Sequence, residues 1–221
     1  AVGKIILSTF VTIVFALLLN EIKNKFMKRS IQTIVYLPNF LSWVILATVV
    51  VNIFSYEGPI NAVLEMLGIE PILFMASNKW FRSVLIVTDV WKGFGYGAII
   101  YLAALSGIDP GLYEAAAIDG ANRFKRVWHI TLPGILPTIM LVTIMNLPNV
   151  LNAGFDQIFN LYNPLVMETA DIIDTWVYRV GLVERQYSLG TAVGLLRSIV
   201  GIILMLSANK IAQKVTDYRI F

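Results

Sequence analysis

Apolar residues dominate five stretches of this chain, at about 2–19, 31–54, 80–106, 132–151 and 189–209. Each is continuous and close to the roughly 20 residues that an α-helix needs to cross the hydrocarbon core of a bilayer. Barrel strands would instead alternate apolar and polar positions over about ten residues. The pattern therefore predicts an all-α membrane protein, a polytopic helical bundle forming a single transmembrane domain over residues 1–221. Between the third and fourth stretches lies a polar island, Asp109 to Pro133, DPGLYEAAAIDGANRFKRVWHITLP.

Basic residues sharpen this picture. Lys23, Lys25, Lys28 and Arg29 separate the first two stretches; Arg123, Lys125 and Arg126 lie in the island; Lys210, Lys214 and Arg219 follow the fifth. Ten of the 17 basic residues thus fall in three segments that alternate so as to share one side, the cytoplasmic side by the positive-inside rule. Five spans ending in the cytoplasm place residue 1 outside, yet the chain opens directly on an apolar helix without signal-peptide anatomy. A further span upstream of Ala1 is the expectation.

The island reads as two short helices and a turn. Asp109 suits an N-cap and Pro110 the first helical position, where its missing N–H costs nothing. Tyr113, Glu114 and alanines 115 to 117 continue the helix, and Gly120 is placed for a left-handed stop. A second helical segment carries Phe124, Val127 and Trp128 on one side and the basic residues on the other, before Thr131 and Pro133 open the next apolar helix.

Glu114, Ala115, Ala116, Gly120, Ile130, Leu132 and Pro133 stand at the spacing Glu-Ala-Ala, three residues, Gly, nine residues, Ile, any residue, Leu-Pro. This stretch resembles the EAA loop of permease subunits in bacterial ATP-binding-cassette importers, matching it at all seven positions. The resemblance implies a helical bundle of the type I importer kind, usually six spans with both ends inside, in the bacterial cytoplasmic membrane. It implies a coupling helix, with Asp119 and Ala121 beside the motif residues, that docks in a cleft of a separate ATPase. There Ala115 and Ala116 permit close approach and Glu114 offers a carboxylate. ATP and Mg would be bound by two ATPase subunits and not by this chain; a second permease and an extracellular solute-binding protein complete the assembly.

The outer connections are longer and more acidic. In residues 55–79, Ile60, Val63, Leu64 and Leu67 repeat at helical spacing up to Gly68, predicting a short helix on the outer surface. In 152–188, Phe155, Phe159 and Tyr162 precede a helix expected from about Glu168 to Val180. Its apolar face is Ile172, Ile173, Trp176, Val177 and Val180, with Asp171, Asp174 and Arg179 polar.

Polar groups inside a span need a partner, water or a job. Asp89 and Lys92, three apart on one face, can neutralise each other as a structural pair or line a pathway. Gly93, Gly95 and Gly97 suit close helix packing. In the fourth stretch Asn146, Asn149 and Asn152 recur every third residue, and Pro148 interrupts the helix between them. Broken helices with freed backbone groups are where transporters build substrate sites; bundle-stabilising hydrogen bonds are the ordinary alternative. Gly190, Gly194 and Ser198 form a small-residue seam in the fifth stretch. Arg197 beside it faces an aqueous path or carbonyls, or snorkels to the surface.

Composition adds exclusions. The chain is 57% hydrophobic and 14% charged, against about half and a quarter for a soluble domain. Its net charge of +3 resides in loops and makes no case for nucleic acid. Cysteine is absent, and the lone His129 has no second ligand at metal-binding spacing. Phosphate-loop, zinc-protease and serine-hydrolase motifs are also missing, so this is not the reading of an enzyme.

Beyond the loop, ALLLNEIKNKFMKRSIQTIVYLPNFLSWVI, FDQIFNLYNPLV and DIIDTWVYRVGL look like the carbohydrate branch of these permeases, which serves polysaccharide-derived oligosaccharides. Amides and aromatic rings suit sugar hydroxyls and flat C–H faces, and Arg197 and Lys92 would suit a uronic acid carboxylate. An ion- or proton-coupled secondary transporter, with Asp89 as coupling carboxylate, is the alternative; a non-transporting scaffold is a third class.

Overall fold

A computed structural model describes residues 1–216, without the side chains of Pro148 and 211–216. Arg219 and the side chain of Lys214, counted above among the basic residues of the tail, lie outside the described residues. The first apolar stretch forms α1 (Val2–Asn20). The third forms α5 (Asn78–Ser106), the axis on which α1 packs along much of its length.

The second stretch is not one continuous helix. It is α2 (Lys25–Phe40) and α3 (Trp43–Ile53), meeting at 106°. Pro38 falls near the end of α2, and the Ser42 hydroxyl caps α3 by accepting from the Ile45 N–H at 3.4 Å, so one helix ends and another begins. Four described helical segments are long and apolar enough to cross a membrane, and five if this bent pair counts as one.

The two longer connections, 54–79 and 152–186, gather at one end. Helix α4 (Pro59–Met66) stops at Gly68 as expected, pinned by buried Asn61. Its amide donates to the carbonyls of Ser55 and Ile72 and accepts from the Ile72 N–H, at 2.8–3.0 Å. Ile60 and Leu64 face a core containing Phe81, Val84, Ile158 and Val166, whereas Val63 and Leu67 stay exposed. A second core, around Ala16, Ala98, Tyr101 and Ile135, binds α1 and α5 to the fourth span at the other end.

The island is α6 (Pro110–Ile118) and α7 (Arg123–Arg126). A π-helical turn, Val127–Thr131, then runs without a break into α8 (Leu132–Asn146). Glu21, just past α1, lies 3.9 Å from Arg123, which puts the α1–α2 turn and the island at the same end. After α8 come a 3₁₀ turn (Leu147–Leu151) and α9 (Phe155–Leu161).

The helix expected over 168–180 is divided into α10 (Met167–Ala170) and α11 (Ile173–Val177), with a π-helical turn Tyr178–Val183 beyond. The Thr175 hydroxyl accepts from the Ile172 N–H at 2.9 Å and donates to Asp171 at 2.6 Å, so the side chain takes the place of helical backbone bonding. The last span is α12 (Tyr187–Thr216). Of its small-residue seam, Gly190 packs on Gly181, a Cβ at Gly194 would meet nothing within 4 Å among the described residues, and Ser198 donates to the Gly194 carbonyl at 3.0 Å.

Close packing explains two of the three α5 glycines, Gly95 and Gly97. A Cβ at Gly95 would lie 2.6 Å from the Val35 carbonyl oxygen, and one at Gly97 3.3 Å from Thr12, but one at Gly93 would meet nothing within 4 Å. Gly95→Ala should therefore lower stability by about 1–3 kcal/mol through overpacking against α2. Gly93→Ala should be neutral or mildly stabilising, and the two melting temperatures in detergent check the contrast.

Candidate functional site

The fourth stretch loses its α-helix where the sequence places Pro148. Beyond the 3₁₀ turn the backbone is extended at Asn152 and left-handed at Gly154, with φ of 90°. The Asn152 side chain accepts from the Gly154 N–H at 3.0 Å. Asn149 donates to Asn146 at 3.3 Å. Among the described residues, none of the three asparagines hydrogen-bonds to a neighbouring helix.

Instead they line space. One cavity of about 270 Å³ is bounded by Asn146, Asn149, Asn152, Lys4 and Asp89. A second, of about 230 Å³, lies between Asn149, Asn152 and Arg197. A third, of about 530 Å³, is bounded by Asn152, Phe155, Asp174, Tyr178 and Arg197. Asn152 is common to all three.

Asp89 does not pair with Lys92. Its partner is Lys4 of α1, at 3.5 Å, a residue unmarked by motif or spacing. The Lys4 ammonium also donates to the Ala153 carbonyl at 2.7 Å and to Gln157 Oε1. Gln157 is fully buried and donates in turn to the Leu85 carbonyl and the Thr88 hydroxyl, both at 2.8 Å. The signal for Lys4 was its isolation in an apolar helix, since a lone charge at depth requires a partner.

Lys92 caps the break between α2 and α3. Its ammonium donates to the carbonyls of Pro38 and Asn39 at 3.3 and 3.2 Å and to that of Leu41, and lies 5.5 Å from the Trp43 ring centroid. These are carbonyls that an unbroken helix would have satisfied. Arg197 pairs with Asp174 of α11, so the guanidinium is neither alone nor snorkelling.

Phe155 and Phe159 stack at 5.1 Å, and Tyr178 stands edge-on to Phe159 at 4.9 Å. Phe155 and Tyr178 reach the cavity wall, with Phe159 behind them and Tyr162 a further 6.0 Å ring-to-ring step away. Trp176 faces a separate hollow of about 570 Å³ with Ile172 and Ile173.

At the opposite end the island has the caps its sequence requires. Asp109 accepts from the Gly111 N–H at 2.9 Å. Gly120 has φ of 74°, and the N–H groups of Gly120 and Ala121 close on the carbonyls of Ala117 and Ala116 at 3.1 and 2.9 Å, a Schellman stop. Asn122 caps α7 by accepting from the Lys125 N–H. Tyr113 and buried Thr131 share a hydroxyl hydrogen bond of 3.0 Å, which ties α6 to the root of α8.

Glu114, Ala115, Asp119 and Pro133 are exposed, while Ala116, Ala121, Ile130 and Leu132 are half-buried. Ile118, Phe124 and Trp128 point away from the bundle, Ile118 and Phe124 at 87% and 86% exposure. His129 bonds the Lys125 carbonyl at 2.9 Å, as a satisfied surface side chain would.

Comparison with known proteins agrees with this arrangement. The family model described as binding-protein-dependent transport system inner membrane component matches residues 8–217. The chain belongs to that family. Protein LplB of Bacillus subtilis (strain 168) is 44% identical to this inner membrane component over 210 residues, covering 95% of this chain and 66% of LplB. The polygalacturonan/rhamnogalacturonan transport system permease protein YteP of the same organism is 41% identical, covering 96% of this chain and 66% of YteP.

The chain thus spans about two thirds of the length of these curated relatives. A crystal structure of a bacterial alginate ABC transporter, in complex with alginate pentasaccharide-bound periplasmic protein, superposes at a TM-score of 0.90 and 38% identity. The match covers 99% of this chain and 78% of the matched one. The fold is that of a type I ABC importer permease.

Two outcomes follow from the charges of this family member. Lys4→Met should destabilise the bundle by about 3 kcal/mol because it leaves Asp89 unpaired, whereas Lys4→Met with Asp89→Leu should recover much of that loss. Unfolding of the three proteins in one detergent measures the difference.

Asp171 behaves differently. Burial raises its carboxyl pKa, but hydrogen bonds from Arg179 and Thr175, the Arg179 charge and the Ile172 N–H outweigh this and hold it below the usual value. A depressed carboxylate adds stability that is full above its unfolded pKa of about 3.9 and lost as pH falls through the lower folded value. Protection factors for amide exchange across residues 171–180, taken relative to the intrinsic rate at each pH, should therefore be unaffected by this group between about pH 7 and 5 and fall only below about pH 4.

Proposed function

We propose that this chain forms half of the translocation pathway of an ATP-driven, binding-protein-dependent oligosaccharide importer. The observation that carries the reading is the island. It is capped at both helices, tied through Tyr113 and Thr131 to the root of α8, and yet presents apolar Ile118, Phe124 and Trp128 outward beside Glu114. An apolar patch with a polar rim, on a protrusion too well fastened to be a loose loop, marks a docking surface. A pair of ATPase subunits binding ATP and Mg is its proposed partner. The island and the end of α12 then lie in the cytoplasm, with α4 and α9–α11 outside toward the solute-binding protein, and a second permease closes the pathway.

The substrate class rests on the amide-lined cavities beneath the aromatic cluster and on the relatives. YteP is named for polygalacturonan and rhamnogalacturonan, and the superposed transporter imports alginate, an acidic polysaccharide. Oligosaccharides released from such polymers are the proposed cargo. Differential binding of the ATPases to inward- and outward-open states would supply coupling through the island. Asp89 as a proton- or ion-coupling carboxylate gains no support, because Lys4 neutralises it.

Glu114→Gln combined with a β-branched residue at Gly120 should cut substrate-stimulated ATP hydrolysis by the reconstituted complex about tenfold or more, with the bundle still folded. Full stimulation in the folded double variant would refute the assignment.

A further inference from the structure

We infer that the Asp174–Arg197 pair, with Phe155 and Tyr178, is a subsite for the hydroxyl groups of a pyranose ring rather than for a sugar carboxylate. This rests on the importer reading given above and adds which chemical group this chain recognises.

The pair joins α11 to α12 at the boundary between two cavities. Arg197 lines both the aromatic cavity of about 530 Å³ and the amide-lined one of about 230 Å³, and Asn152 lines both with it. The larger volume lies within the range of about 300–1,000 Å³ typical of small-molecule sites. Neither charged side chain is fully buried, with 29% of Arg197 and 18% of Asp174 exposed, so each keeps polar capacity directed at the cavity. A carboxylate has two oxygens and a guanidinium five N–H donors, and one mutual contact leaves acceptors and donors over.

A vicinal diol suits that remainder. One hydroxyl donates to the free carboxylate oxygen while its neighbour accepts from the guanidinium. Phe155 and Tyr178 offer flat surfaces for the C–H face of the same ring, and Phe159 stacked behind them limits their movement.

Charge argues against a uronate at this position. The cavity wall holds two carboxylates, Asp156 and Asp174, against one guanidinium, and the guanidinium is already engaged. A sugar carboxylate on the remaining guanidinium donors would lie beside both Asp174 and Asp156, and like charges that close repel, whereas a neutral hydroxyl carries no such cost. Lys92, the other cation suggested by sequence for this purpose, is taken up by the carbonyls at the α2–α3 break. If the cargo is anionic, its charge is read elsewhere in the assembly and its ring hydroxyls here.

Two probes separate the possibilities: α-1,4-linked tetragalacturonate and its carboxyl-reduced counterpart, which share the ring diol and differ at C6. Binding to the intact complex in nanodiscs is followed by tryptophan fluorescence, since Trp43 lines the same cavity. Uptake is measured separately in proteoliposomes. Asp174→Asn should weaken binding of both probes by about tenfold, because a charge-assisted hydrogen bond becomes a neutral one.

The exchange Asp174→Arg with Arg197→Asp restores the ion pair but should remain weak, since side chains of different length then project from α11 and α12 and place both head groups away from the ring hydroxyls. Wild-type affinity in that exchange would reduce the pair to a structural tie and overturn the subsite. Tighter binding of tetragalacturonate by Asp174→Asn would show Arg197 to be a carboxylate reader and overturn it as well, as would no binding of either probe to the wild type. Absence of wild-type uptake counts against the importer reading alone, because the binding measurement decides the subsite independently.

Discussion

A lysine ammonium held at depth is the constraint on which the rest of this bundle depends. The Lys4 side chain is only 11% exposed, and a charge so placed is tolerated only when paired and hydrogen-bonded. It meets that requirement with three groups from three places: the Asp89 carboxylate of α5, the Ala153 carbonyl at the break after α8, and the Gln157 amide of α9. Satisfying one cation therefore fixes the first span, the central span and the broken segment relative to one another. The asparagine-lined cavity is the space left beside that junction.

The other end is governed by backbone bonding. The island consists of short helices whose ends must be capped locally, and Asp109, Asn122 and Gly120 do so. The π-helical turn at Val127–Thr131 then lets α7 run directly into α8. Because α8 ends at the cavity and begins at the island, one continuous helical span of 24 residues connects the two. A displacement at the protruding end has a rigid path to the break, and the break is where the span has the fewest helical hydrogen bonds to lose.

What was legible in the sequence followed from local chemistry. The caps of α6, the stop at Gly120, the end of α4 at Gly68 and the interruption around Pro148 each depend on a few consecutive residues, and all stand where their types require. The tertiary partners did not have that advantage. Asp89 and Lys92 share a helical face, but their real partners are 85 and about 50 positions away along the chain, and helical spacing holds no information about them. The bend between α2 and α3 did leave a trace, Pro38 followed by a capping Ser42, within an apolar run long enough to pass as one span. Thr175 divided the outer helix in the same way, since hydroxyl-to-backbone bonding competes with helix where apolar periodicity alone predicts continuity.

In the proposed importer the amide-lined break forms part of a water-filled path whose access changes when the proposed ATPase subunits close. The chain has no native cysteine, so Asn149→Cys in the intact complex provides a single reactive position on this chain at the cavity wall. The direct measurement is its labelling by a membrane-impermeant maleimide added to one side of sealed proteoliposomes, with and without a trapped ATP state. A gated path gives reaction from one side at rest and from the other when ATP is trapped. A cysteine that never reacts, or that reacts equally from the same side in both states, would contradict it.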